Sequence, residues 1–230
     1  MFFWDWTYLL LIPGIIISAI AQAKISSAYR TYSRVASKTG LSGAEAARRL
    51  LDINGLSNVR IEGIGGELTD HYDPRKKIMR LSNGVGNNRS IAAIGVAAHE
   101  TGHAIQDKVG YWPLRFRNAI VPVCNISSNM AWPLFFIGLI FGSRSVVGTW
   151  LMNLGIVLFC VSLLFYLITL PVEFNASRRA VAALTEYQLI APGEEKGVKK
   201  VLQAAALTYV ASALMAFLNL LRLLVLRDRD

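Results

Sequence analysis

The chain has 230 residues, 53% of them hydrophobic and only 17% charged, with a formal net charge of +9. A soluble domain carries about a quarter charged residues, so this composition excludes a disordered or purely surface-binding polypeptide and points at the bilayer. Cys124 and Cys160 both lie in apolar stretches, which excludes a disulfide framework and a cysteine-rich metal site.

Four stretches approach the ~20 apolar residues that a membrane span needs. They run from about Trp6 to Ala23, Ile120 to Phe141, Gly148 to Leu170 and Ala204 to Leu226. The third contains no charge. The fourth carries only Arg222, near its end, where a long cation can snorkel to the interface. Asn125, Ser127, Ser128 and Asn129 in the second are expected to face neighbouring helices rather than lipid. Ala21-Gln22-Ala23 resembles a signal-peptide cleavage site, but the first six residues hold Asp5 and no Lys or Arg, so a retained anchor is expected.

Residues Lys24 to Arg117 hold fifteen Lys+Arg against eight Asp+Glu, and Arg178, Arg179, Lys196, Lys199 and Lys200 lie between the third and fourth spans. The link between the second and third spans has Arg144 alone. The positive-inside rule then puts both large hydrophilic segments in the cytoplasm and the N-terminus outside. The basic balance reads as topology and as attraction to anionic lipid headgroups. No nucleic-acid module is present, so no nucleic-acid partner is expected.

Lys24 to Gly40 reads as a polar continuation of the first helix. Ser42 and Glu45 form a capping box for a new helix over Ala44 to Leu51, which Asn54-Gly55 ends. Val59 to Ile64 reads as a strand closed by Gly65-Gly66. Gly63-x-Gly65-Gly66 lacks the following helix that a phosphate loop requires. Leu68 to Tyr72 and Lys77 to Leu81 are short strands around the turn Asp73-Pro74-Arg75-Lys76, and Asn83 to Asn88 is a loop. Ser90 caps a helix reaching Gln106 or beyond, whose first half, Ile91 to Ala98, is apolar and expected to be buried. Asn88-Arg89-Ser90 and Asn125-Ile126-Ser127 match glycosylation sequons, but in cytoplasmic and intramembrane positions.

That helix contains His99-Glu100-Thr101-Gly102-His103, an H-E-x-x-H. At 3.6 residues per turn the two imidazoles share a face and can aim at one metal. Glu100, offset by about 100°, can reach a zinc-activated water without becoming a ligand and take its proton during attack on a carbonyl. With three histidines in the whole chain, a chance match at mid-helix is a poor account. A catalytic zinc takes three protein ligands and leaves one position open. His71 is the only remaining histidine, so a carboxylate is the expected third ligand. Glu173 opens a helical stretch bracketed by Pro171 and Pro192, with Ser177 one turn on as a candidate partner of a ligand. From the residues alone Glu173 reads equally as a ligand or as an N-terminal carboxylate facing the helix dipole, with Glu186 a weaker rival.

Ala97 to Gln106, with Leu68 to Pro74 before it and Pro171 to Ala180 after it, resembles the YugP family of bacterial membrane zinc metallopeptidases over nearly the whole chain. A more distant likeness is to HtpX-type membrane proteases, whose third ligand sits in E-x-x-A-D. Here that pattern becomes Glu173-x-x-Ala176-Ser177. The resemblance implies gluzincin architecture with Glu173 as ligand, and the Asp-to-Ser departure leaves the partner of the first His open. By the HtpX analogy, the strand of His71 would lie at a cleft edge where a peptide adds as a further strand. His71 could there donate to the oxyanion, with Arg178 and Tyr187 as other candidates.

The fold class expected is a mainly α membrane protein: four transmembrane helices plus a small cytoplasmic α+β gluzincin-like unit carrying the H-E-x-x-H helix. Residues 1–23 form the first anchor, 24–117 the metallopeptidase region, and 118–170 a membrane hairpin. Residues 171–203 form a cytoplasmic helix with the third ligand, and 204–230 the fourth span and tail. The function expected is membrane-integral zinc endopeptidase at the cytoplasmic face of a bacterial cell membrane. One Zn²⁺ would sit on His99, His103 and Glu173, Glu100 and His71 would be catalytic, and the substrate would be protein or peptide near the membrane. The alternative is a zinc-binding scaffold or chaperone that cleaves nothing, for which an intact Glu100 has no use. A metal transporter would need ligands in the spans, and these contain no His, Asp or Glu. Intramembrane cleavage would need H-E-x-x-H in a helix of lipid length, and polar residues flank it instead. Reporter fusions after Gly40 and after Glu195 should report cytoplasm, and one at Ser143 the exterior; a reversed pattern would overturn the topology without touching the zinc motif.

Overall fold

The computed structural model describes residues 5–142 and 145–228, so the link residue Arg144 and the reporter position Ser143 lie outside the described residues. Met1–Ala21, Phe116–Leu170 and Thr208–Asp230 form one compact unit, and Gln22–Arg115 with Pro171–Leu207 another. The chain is mainly helical, with a small sheet. A 3-10 turn, Trp6–Leu11, leads into α1 (Ile12–Tyr32), followed by α2 (Gly43–Ile53) and β1 (Arg60–Ile64). Next come β2 (His71–Asp73), β3 (Ile78–Ser82), α3 (Asn83–Gly86) and α4 (Ile91–Lys108). Three long helices complete it: α5 (Trp112–Phe141), α6 (Val146–Glu186) and α7 (Glu195–Asp228).

Among the described residues, four helical segments are long and apolar enough to cross a membrane: Trp6–Tyr32, Trp112–Phe141, Val146–Glu186 and Glu195–Asp228. In the first unit α5 and α6 approach backbone to backbone. A Cβ on Gly138 would lie 2.7 Å from the Gly148 carbonyl oxygen, and one on Gly155 2.7 Å from that of Ala131. Small residues at such crossings let helices pack closely where the hydrophobic effect gives no drive. The Ser128 and Ser162 hydroxyls bond across the pair at 2.9 Å, while Asn125 and Asn129 are exposed. Arg222 does not snorkel outward. It is buried, donates to Thr7 Oγ1 at 3.1 Å, and lies 3.8 Å over the Tyr8 ring, a cation–π contact that offsets its desolvation.

The second unit places α4 between two cores. Ile94 and Ala98 join Leu50, Ala180, Leu184 and Val198 on one side. Ala97, Ala104 and Ile105 meet Leu51, Tyr72, Met79 and Leu81 on the other. Fourteen of its eighteen residues are buried, so small residues, not an amphipathic stripe, suit this helix. Ser90 Oγ caps it by accepting from the Ala93 N–H. The sheet has the order β1-β3-β2, with β1 parallel and β2 antiparallel to β3, and Tyr72 opposite Met79. Asp73 Oδ1 closes the β2–β3 turn by accepting from the Arg75 and Lys76 amides.

Four expectations about the elements change. The helix from the first span ends at Tyr32 rather than Gly40, because residues around Ala36 leave it to pair with Ser90: Ser37 N–H donates to the Arg89 carbonyl and Ile91 N–H to that of Val35. The strand expected from Leu68 begins only at His71, since Gly66 and Leu68 take positive φ of 93° and 55°. Asn83 to Asn88 contains the short helix α3. A fourth change concerns Pro171, which opens no new helix and lies inside α6. The capping box forms as read, with Glu45 N–H on Ser42 Oγ at 3.2 Å and Ser42 N–H on Glu45 Oε2 at 2.7 Å. Ser42→Ala should therefore cost about 1 kcal/mol, seen as a lowered Tm of the detergent-solubilised protein with its helix content retained.

Candidate metal centre

The centre is built where α4 crosses the 171–186 portion of α6. Glycine at 102 permits the approach: a Cβ there would lie 2.6 Å from the Ala176 carbonyl oxygen, closer than any side chain tolerates. His99 and His103, one turn apart on α4, present rings 4.7 Å apart at an interplanar angle of 85°. Both Nε2 atoms point at Glu173, His99 at 3.1 Å and His103 at 3.6 Å from its Oε2. One donor atom from each of the three side chains falls within a 4.8 Å cluster, the geometry of a group that could hold a metal ion. Tetrahedral zinc with ligands near 2.0–2.1 Å separates them by about 3.3 Å, and the two observed spacings bracket that value. The donor set, two imidazoles and a carboxylate, also suits zinc.

Each imidazole is held from behind. Ser177 Oγ lies 3.1 Å from His99 Nδ1, so serine occupies the place where the distant HtpX pattern has aspartate. Gln106 Oε1 lies 3.0 Å from His103 Nδ1. Gln106 and Asn175 are functional candidates that the sequence reading passed over, although Gln106 falls three residues after His103 and hence on its face.

Glu100 stays out of the cluster. It is buried and accepts a hydrogen bond from the Tyr72 N–H of β2. Burial pushes its carboxyl up to about 7; the Glu173 and Asp70 charges push the same way, and His99 and the Tyr72 N–H oppose them. A carboxyl poised there can both take and return a proton near neutral pH. The β2–β3 hairpin that supplies Tyr72 is tied to the end of α4, because Asp107 accepts from the Tyr72 hydroxyl at 2.8 Å and pairs with Lys77.

His71 is not brought into the cluster. Its Nδ1 faces the Thr69 carbonyl at 2.9 Å and its Nε2 the Arg80 guanidinium at 3.3 Å. A carbonyl only accepts and a guanidinium only donates, so Nδ1 carries the hydrogen and Nε2 is occupied as an acceptor. So held, both ring nitrogens of His71 face Thr69 and Arg80. Arg178 and Glu186 are exposed and line a groove of about 890 Å³ walled by Phe174, Val181, Leu202 and Ala206. Tyr187 packs on the core beside α4.

Residues 7–228 match a family model described as "Putative neutral zinc metallopeptidase". The chain belongs to this family. It is also 48% identical over 223 residues to the "Putative membrane protease YugP" of Bacillus subtilis (strain 168), covering 96% of this chain and 97% of that relative. No solved structure matches the chain. Membership in a zinc metallopeptidase family agrees with the His99, His103 and Glu173 cluster as a place for one zinc ion, and the four apolar helices with a membrane protein. Gly102→Ala should force α4 and α6 apart at about 1–3 kcal/mol and lower zinc affinity, whereas Gly63→Ala, with open space around it, should change neither. Thermal melts and zinc competition on the two variants check this.

Proposed function

We propose that the protein is a membrane-integral zinc endopeptidase of the gluzincin type, acting on proteins or peptides at the cytoplasmic face of a bacterial cell membrane. His99, His103 and Glu173 hold one zinc. When bound, zinc supplies a Lewis acid that polarises a carbonyl and brings the pKa of a water to about 7. The chain's own groups do the rest. The Glu100 carboxylate, oriented by the Tyr72 N–H, takes the proton of the attacking water and later returns it to the leaving amine. The substrate lies extended along β2, the edge strand that carries Tyr72 and borders the site. The side assignment rests on the charge of the loops. Trp112–Phe141 and the uncharged stretch Gly148 to Leu170 of the next helix separate His103 from Glu173, and two crossings would return both ligands to one side of the bilayer.

The observation that carries this reading is the separation of roles among neighbouring carboxylates: Glu173 converges with both imidazoles while Glu100, beside His99 in sequence, is kept from the cluster. A purely structural zinc site has no use for a second, separately oriented carboxylate.

Glu100→Gln should keep about one zinc per chain and lose at least ~10²-fold in peptide hydrolysis. Glu173→Ala should weaken zinc binding by well over the ~10–100-fold typical of residues that only support a ligand, and abolish hydrolysis. Glu186→Ala should leave the metal in place. Zinc content by elemental analysis and turnover of a casein-type substrate read all three. Stoichiometric zinc in the wild type without chelator-sensitive hydrolysis would favour the scaffold instead.

A further inference from the structure

Gln106 is fully buried, and every hydrogen bond around its amide has a forced direction. Arg179 Nε donates to Asn175 Oδ1 at 2.8 Å, and since a guanidinium cannot accept, that atom of Asn175 is the oxygen. Gln106 Nε2 donates to the same Asn175 Oδ1 at 3.0 Å and to the Val172 carbonyl at 2.8 Å. Both are acceptors, so the amide cannot be flipped. Its Oε1 must then face His103 Nδ1, 3.0 Å away, and Nδ1 must carry the hydrogen. The neutral ring is left with a bare Nε2 lone pair directed at Glu173.

His99 differs. Its Nδ1 partner is the Ser177 hydroxyl, which can donate or accept and so permits either tautomer. The two ligand histidines are thus held by partners of unequal selectivity, and only the second is fixed in the form that binds metal.

We propose that Gln106 is a positioning residue for metal capture. It fixes His103 as the Nδ1–H tautomer and, through Val172 and Asn175, ties that choice to the helix segment that carries Glu173. Ligand histidines commonly donate their second N–H to a carboxylate, a carbonyl or water, and such partners govern ring orientation and basicity. Here a side-chain amide takes that place, and its orientation is set from α6. The supply of the third ligand and the tautomer of the second therefore come from the same turn of one helix. The proposal rests on His103 being a zinc ligand.

The test uses the full chain in detergent with ¹⁵N-labelled histidine, stripped of metal. Three histidines keep the ring spectrum assignable. At alkaline pH, in the neutral form, the wild-type His103 ring should show a hydrogen-bearing Nδ1 and a bare Nε2. In Gln106→Leu, which keeps the volume, both tautomers should be populated, and the zinc Kd from chelator competition should rise about 10–100-fold. Gln106→Glu keeps the acceptor, so the tautomer should persist and affinity should stay within about threefold of wild type. A merely structural role would lower thermal stability without moving the ring signals.

A wild-type His103 bearing its hydrogen on Nε2 overturns the proposal, as does an unchanged tautomer in Gln106→Leu or a Gln106→Glu that loses zinc as Gln106→Leu does. If Gln106→Leu does not fold, the wild-type spectrum and Gln106→Glu decide. His103→Ala separates the underlying reading: wild-type zinc affinity in that variant removes His103 from the metal site, whereas a large loss with an unaltered tautomer in Gln106→Leu removes only the role of Gln106.

Discussion

Two imidazole nitrogens and a carboxylate oxygen, all able to offer lone pairs, are gathered within 4.8 Å in a buried crossing of two helices. Burying a carboxylate without compensation is costly, and bringing a bare imidazole nitrogen to its edge adds repulsion. Between Glu173 and a neutral His103 that gives its hydrogen to Gln106, a metal ion or a proton relieves the contact. The surroundings of the centre follow from this requirement. Ser177 and Gln106 stand behind the rings, and Glu100 stays outside the cluster, beside the Tyr72 backbone.

Holding three side chains to such tolerances requires a helix that cannot shift, and α4 is fixed by burial on both flanks. Its alanines are needed because two cores close on it: Ala98 serves one and Ala97 the other, one residue apart. Larger side chains would move α4 away from the sheet or from α6, and either displacement would open the cluster. Gly102 is the extreme of the same logic, since the α6 backbone occupies the space of its Cβ. Close packing of this kind leaves no continuous adjustment, so a helix displacement registers directly as a change in ligand spacing.

The zinc motif, the Ser42 and Ser90 caps, the β2–β3 turn and the four apolar helices were legible because each depends on residues close in sequence: i to i+4 spacing, i to i+3 capping, or a run of ~20 apolar residues. What could not be read depends on partners distant in the chain. Gln106 looks like an ordinary polar residue near a helix end until Val172 and Asn175, some sixty-six and sixty-nine positions on, supply its acceptors. The Arg80 contact to the His71 ring also exists only once β2 and β3 pair with those two residues opposite each other. The helix end at Tyr32 was likewise set by a bridge to Ser90, against a local sequence that would have let it continue.

Pro171 shows how such a difference bears on chemistry. Proline removes one amide donor and crowds the preceding turn, so a helix is expected to stop before it and restart after it. Had that happened, Glu173 would stand in a first turn, where a carboxylate is stabilised by the helix dipole and by free N–H groups. That placement would give its presence a sufficient reason without any metal. Instead α6 runs unbroken from Val146 to Glu186, and Glu173 lies well inside it, where there are no free amides and the dipole has no end. Its carboxylate faces the imidazoles of His99 and His103. A carboxylate buried to 4% exposure in a helix interior has to be accounted for by what it faces. The helix continuity that the sequence obscured is thus what removes the dipole account of Glu173 and leaves the metal account.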